Sequence, residues 1–418
     1  MALHVQTQAV LLLTAYLSKP AKDESRPLGP MEWGRFARWL KEREIAPEML
    51  LRDDPARLLA GWKDRAVTLE RIQSLLNRAG ALGLAVEKWQ RAGLWILIRA
   101  DTDYPNRLKK YLQADSPPVL FGCGNRRLLD QGGIAVVGSR HASPEDLAFT
   151  TRLGAEAAVQ GLSVISGGAR GVDETAMLGA LAREGTAVGV LADSLLRAAT
   201  SVKYRPSLLS GNLVLVSPFN PEAGFEVGNA MARNKYIYCL ADAAIVIAAD
   251  REQGGTWHGA VENLKHGWTP LWIKPHLEPA SGNAELMRRG GRELPVESCD
   301  LVALGRREAM PPVDHPPALL AEPRSPAFRP RAASVPVADA LLDNLGFYQL
   351  FLRRLRRLTA KTPATDQDLL SCLDIGKSQL RDWLKRALNE GQVIKLSKPV
   401  RYQWRSARPE QNSFFANE

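Results

Sequence analysis

The chain has 418 residues, 45% of them hydrophobic and 24% charged, with 55 Lys and Arg against 45 Asp and Glu for a net charge of +10. At about 150 residues per domain this predicts two to three domains, and the composition excludes a wholly disordered chain. No apolar run reaches the roughly 18–20 residues that span a bilayer. The apolar stretch Ala9 to Tyr16 has no preceding cationic segment and no small-residue cleavage site, so it reads as a first helix and not a secretion signal.

Before Gly93 the apolar spacing is helical: Trp33, Phe36, Ala37 and Leu40 follow the turn Pro27-Leu28-Gly29-Pro30. Pro55 sits at a first helical position behind the cap candidates Asp53 and Asp54, and Ile72, Leu75 and Leu76 mark another short helix. Residues 1–92 therefore read as a small helical domain.

From Leu94 the pattern changes. Trp95 to Ile98 and Val119 to Phe121 are short β runs, separated by Asp103-Tyr104-Pro105 and a helix from Asn106 to Leu112. From Ile134 strand and helix alternate. Strands are predicted at Ile134 to Val137, Leu162 to Ile165, Ala187 to Leu191, Leu213 to Val216, Ala244 to Ile247 and Leu271 to Ile273. Ser143-Pro144-Glu145-Asp146 opens the helix after the first of them, and a second helix runs from Val172 to near Gly185. The alternation predicts an open, doubly wound, Rossmann-like α/β sheet of parallel strands over residues 93–305.

In such sheets ligands bind where strand ends enter helices. Three loops suit anions: Gly138-Ser139-Arg140, Ser166-Gly167-Gly168-Ala169-Arg170-Gly171, and Gly254-Gly255-Thr256 after Gln253. Backbone amides at a helix N-terminus favour negative charge, and the arginines add forked donors. Neither GxGxxG nor the P-loop occurs in these loops, which argues against ordinary dinucleotide binding and NTP hydrolysis. Arg233-Asn234-Lys235, on a helix, is a further cationic cluster. No Ser-His-Asp or Cys-His set is evident, and Asp173, early in its helix, reads as a capping acid. Cys123, Cys239, Cys299 and Cys372 form no CxxC pair, so no metal, disulfide framework or cofactor is expected, and the cytoplasm is the default location.

Pro311 to Pro336 contains eight prolines and no glycine, and residues 306–339 read as a Pro-rich linker. Beyond it, residues 351–405 hold 13 Lys and Arg against 5 Asp and Glu, which places +8 of the +10 there. Leu341 to Leu358 is helical and carries Arg353, Arg354, Arg356 and Arg357. Thr365 caps a second helix with Asp368 at the capping-box position, Lys377 to Asn389 is a third, and two strands flank Ser397-Lys398-Pro399. That order is a winged helix over residues 340–405, followed by a tail at 406–418. Lys377, Arg381 and Lys385 share one face of the third helix and, with Lys398, are the candidate duplex DNA contacts.

Several motifs together resemble the DNA-processing protein A (DprA/Smf) family. Val137-Gly138-Ser139-Arg140 is similar to its GSR loop, and Ser166 to Asp173 to its SGLAxGID motif, with Gly168 for leucine and Val172 for isoleucine. Arg233-Asn234-Lys235 resembles its RNR segment. The departures are Met231-Ala232 where the family has Phe-Pro, Gly254-Gly255-Thr256-Trp257 in place of SGSxxTA, and Pro218 where an acid follows serine. The resemblance implies a non-enzymatic, dimeric, single-stranded DNA-binding protein that serves recombination or DNA uptake with a RecA-type recombinase. Arg140 and Arg170 would then contact phosphates, with Ser139, the glycine loop and Arg233 or Lys235 lining the groove. The alternative is a nucleotide-binding sensor or phosphoribohydrolase-like protein in a DNA-linked process such as anti-phage defence. Against its catalytic form, the first glutamate after Thr256 is Glu262, six residues on.

Overall fold

The computed structural model describes residues 3–18, 25–276, 281–296, 300–305, 347–360, 362–373, 377–396 and 400–404. The expected linker at 306–339, the tail at 406–418 and Lys398 lie outside the described residues. The chain divides into two compact units, Met1–His315 and Pro316–Glu418.

The first unit is built on one nine-stranded sheet. Its strands are β1 (Trp95–Ile98), β2 (Val119–Gly124), β3 (Ile134–Val137), β4 (Val164–Ser166), β5 (Ala187–Val190), β6 (Leu213–Ser217), β7 (Ala243–Val246), β8 (Leu271–Ile273) and β9 (Arg292–Glu293), in the order β1-β2-β6-β5-β4-β3-β7-β8-β9. From β6 to β9 all pairings are parallel, while β1–β2 and β2–β6 are antiparallel. The six expected parallel strands are present. The sheet as a whole is mixed, because the first two β runs join its β6 edge antiparallel and β9 extends the opposite edge. Strand β4 starts two residues later than its apolar run suggests. Leu162 N–H still caps the preceding helix through Ala157 O at 2.8 Å, and Ser163 O accepts from Ile134 N–H at 2.8 Å. The helix from Val172 ends at Leu181, since Gly185 N–H turns back to Ala180 O at 3.0 Å.

Side chains alternate across the strands and so enter two separate cores. Ile134 and Val136 join a cluster with Phe149, Met177 and the N-terminal helices, whereas Ala135 and Val137 join Tyr104, Tyr236, Tyr238 and Trp257. Helices Pro144–Val159 and Val172–Leu181 thus cover one face, and Asn106–Leu112, Val227–Leu240 and Gly254–His266 the other. The first helix, Val5–Thr14, buries Ala9 through Leu13 on every side. Leu11, Phe36, Ile72 and Trp89 belong to the same apolar cluster as Val136, so the helices before β1 and the sheet share one core. No helix among the described residues is long and apolar enough to cross a membrane.

The helix after β3 starts as its sequence dictates. Pro144 takes the first position, and Ser143 Oγ accepts from Asp146 N–H at 3.1 Å and donates to the Asp146 carboxylate at 2.9 Å. Ser143→Ala is expected to cost about 1 kcal/mol, read as a lower urea midpoint with an unchanged slope.

In the second unit, helices Phe347–Thr359, Asp366–Leu373 and Lys377–Asn389 precede an antiparallel hairpin of β10 (Val393–Leu396) and β11 (Arg401–Trp404). Ala364 pairs with Tyr402 as a one-residue third strand. Phe351, Leu355, Leu369, Leu380, Leu384, Val393 and Tyr402 form its core. Thr365 Oγ1 accepts from Asp368 N–H at 3.2 Å while the Asp368 carboxylate accepts from Thr365 N–H at 2.9 Å, a reciprocal cap.

Candidate functional site

The chain proceeds from β3 through β4 and β5 to β6 on one side, then returns to place β7, β8 and β9 on the other. The order therefore reverses between β3 and β7, and the loops leaving the carboxyl ends of the strands open a crevice there. Gly138-Ser139-Arg140 leaves β3, the glycine loop leaves the adjacent β4, and the chain leaving β7 reaches the helix that begins at Gly254. Topology alone brings the three predicted loops to one sheet edge.

Two glycines are required by close approach. A Cβ on Gly167 would lie 1.4 Å from Arg233 Nη1 and 2.5 Å from the Asp173 carboxylate. Gly171 has φ +87°, and a Cβ there would meet Ser139 O at 2.7 Å and Arg140 O at 2.9 Å. The first two loops are thus packed backbone against backbone.

Asp173 organises them from below. It is 7% exposed in the first turn of helix Val172–Leu181, and the amides of Gly138, Ala169 and Gly167 surround its carboxylate. Arg233, 5% exposed, brings Nη1 to 3.8 Å from the same group. Burial pushes the Asp173 carboxyl above the usual carboxylate range, with Arg233 and the three amides pulling the other way. Burial likewise pulls the Arg233 guanidinium below its usual value against the pull of Asp173, and the neighbouring Arg140 lowers it further. Arg233 Nε and Nη1 have no hydrogen-bond acceptor among the described residues.

The predicted site residues divide according to where these constraints leave them. Arg140 and Arg170 are exposed, and Gly168 is partly so. Ser139 Oγ accepts from His141 N–H at 3.1 Å and holds the turn. Ser166 does not offer its hydroxyl to the crevice: it is fully buried and donates to Val136 O at 2.6 Å, tying β4 to β3. Arg233-Asn234-Lys235 is not a single cationic cluster, because consecutive helical residues point about 100° apart. Arg233 goes beneath the glycine loop. Asn234 Nδ2 donates to Gly255 O at 2.9 Å, and Lys235 pairs with Asp115 at 15% side-chain exposure. Gly254 is exposed, and Gly255 and Thr256 are half-buried in the first turn of their helix. In the second unit Arg381 and Lys385 are exposed one turn apart, while Lys377 begins that helix with its side chain outside the described residues.

Asp173 as the hub and Phe225 at the rim are the residues that sequence reasoning passed over. An acid in a first helical turn ordinarily serves its own helix, and only the fold reveals that three loop amides converge on it. Arg140 places its guanidinium carbon 4.6 Å from the Phe225 ring centroid. Among the described residues, no group of three or more His, Cys, Asp or Glu is placed to hold a metal.

Residues 95–301 match the family described as DNA recombination-mediator protein A. The chain is similar to the DNA processing protein DprA of Bacillus subtilis, 24% identical over 272 residues, which cover 60% of this chain and 88% of that protein. It is also similar to the protein Smf of Synechocystis sp., 24% identical over 290 residues, covering 64% and 71% respectively. The X-ray structure of DNA processing protein A from Streptococcus pneumoniae shares the fold, with a TM-score of 0.54 and 18% identity over 70% of this chain and 95% of that one.

Proposed function

Since the chain belongs to the DNA recombination-mediator protein A (DprA/Smf) family, we propose that it binds single-stranded DNA across the β3–β7 crevice and acts without catalysing a reaction. The observation that carries this reading is the pair of exposed arginines, Arg140 and Arg170, on adjacent loops braced by buried Asp173. Two forked cations on adjacent, braced loops suit a sequence-tolerant phosphate track. Outside residues 351–405 the chain carries only a small part of its net charge, so local arginines must supply the attraction there.

Residues 93–305 act as the DNA-binding domain, with the helices of 1–92 as its buttress. The strand so held is protected or handed to a RecA-type recombinase, by a cytoplasmic homodimer. The second unit serves as a winged helix that grips duplex DNA through Lys377, Arg381, Lys385 and Lys398.

The test is a titration of single-stranded oligonucleotide against salt. Arg140→Ala and Arg170→Ala should each weaken binding about tenfold, as expected for a charged hydrogen bond, and reduce the log–log salt slope by about 0.7. Lys235→Ala, which removes a cation already paired with Asp115, should leave that slope unchanged. Binding that ignores salt, together with saturable uptake of mononucleotide, would replace this reading with a nucleotide sensor.

A further inference from the structure

Single exposed apolar side chains are ordinary on a protein surface, but an aromatic ring held against a guanidinium beside the crevice loops is a specific arrangement. Phe225 is 52% exposed, and Val227, two residues on, is 57% exposed. The ring is nevertheless held in place. The segment before it is pinned where Ser194 N–H donates to Ala223 O and Leu196 N–H to Pro221 O, both at 2.9 Å. On its other flank Arg140 lies over the ring at 4.6 Å. The Arg140 backbone also packs closely against the glycine loop, where a Cβ on Gly171 would come within 2.9 Å of it. One continuous path therefore joins the glycine loop, a guanidinium and an exposed aromatic face.

A cation beside an aromatic ring matches the repeat of single-stranded nucleic acid, in which each phosphate has a base next to it. We propose that Phe225 is a base-stacking platform: Arg140 takes a phosphate while the phenyl ring stacks on the adjoining nucleobase. The cation–π contact pre-orders both groups, so neither has to be fixed when the strand arrives. Every base has a π face, and the contact carries little sequence preference. A duplex, whose bases are already stacked, cannot use it. Phe225 thereby gives the crevice a preference for unpaired strands that its charges alone do not supply.

This proposal rests on the single-strand reading above, and its test separates the two. The full chain is titrated with oligo-dT and with an abasic phosphodiester strand of equal length and charge. Wild type should bind oligo-dT about tenfold more tightly, in the range of one base–aromatic stack. Phe225→Ala should lose about tenfold on oligo-dT and nothing on the abasic strand, while Phe225→Trp restores the difference. Arg140→Ala should weaken both strands. Equal losses on the two strands in Phe225→Ala, or no loss on either, would overturn the stacking role while leaving the single-strand reading intact. The same holds for a change of oligomeric state without loss of the base-dependent difference. Wild type that binds neither strand would overturn the single-strand reading itself.

Discussion

Trp89→Ala is expected to lower the stability of the first unit by about 3–5 kcal/mol. Trp89 is fully buried in helix Ala79–Arg91, and its indole meets the Phe121 ring of β2 edge-on at 5.0 Å and 70°. Its Nε1 has no hydrogen-bond partner among the described residues, so the loss is packing and transfer and not a broken hydrogen bond. The contact joins the N-terminal helices to the antiparallel edge of the sheet. Leu11, Phe36 and Ile72 share a cluster with Val136 and Met177, so those helices and the sheet should unfold together. Guanidinium denaturation followed by far- and near-ultraviolet circular dichroism should show the first unit melting in one transition, moved to lower denaturant in the variant. A separate early transition of the N-terminal helices, unaffected by the mutation, would contradict a shared core.

Gly167→Ala is expected to reduce single-stranded DNA affinity on the order of 100-fold, the equivalent of losing one or two charge-assisted hydrogen bonds. The added methyl has no room, with Arg233 Nη1 at 1.4 Å and Asp173 Oδ2 at 2.5 Å. Arg233 is buried and cannot swing into solvent, so the loop itself must lift. Lifting it separates the amides of Gly167 and Ala169 from the Asp173 carboxylate and displaces Arg170. Overpacking of this kind also costs about 1–3 kcal/mol of stability, so the binding assay is paired with a thermal melt. A variant that melts earlier yet binds as wild type would mean that the loop does not touch the strand. Gly168→Ala serves as the comparison: Gly168, unlike Gly167, has a positive φ of +64°, but its Cβ meets only the flexible end of Leu191 at 2.7 Å, so the smaller loss is expected there.

Much of the architecture was legible because its signals are local. Alternating β runs and helices, the Ser143–Pro144 start and the Thr365–Asp368 cap each follow from a few adjacent residues. The antiparallel attachment of β1 and β2 was not legible, since pairing with β6 depends on residues about a hundred positions away. The site shows the same division. Glycines after strands identified the loops, and topology then placed them together. The fate of individual side chains needed the third dimension. Ser166, Arg233 and Lys235 look from the sequence like three more polar groups in one crevice. Strand pairing claims the first, burial under Gly167 the second, and Asp115 the third. Asp173 was passed over because its partners come from two different loops and a distant helix. Phe225 gave no periodic signal, being a lone aromatic in a loop.

The most direct test of the central claim is amide hydrogen exchange on the full chain, with and without saturating oligo-dT. Protection should rise at residues 138–141 and 167–172, where the crevice loops hold the strand. Protection confined to residues 347–404, with those loops unchanged, would place the single strand on the second unit and contradict the account.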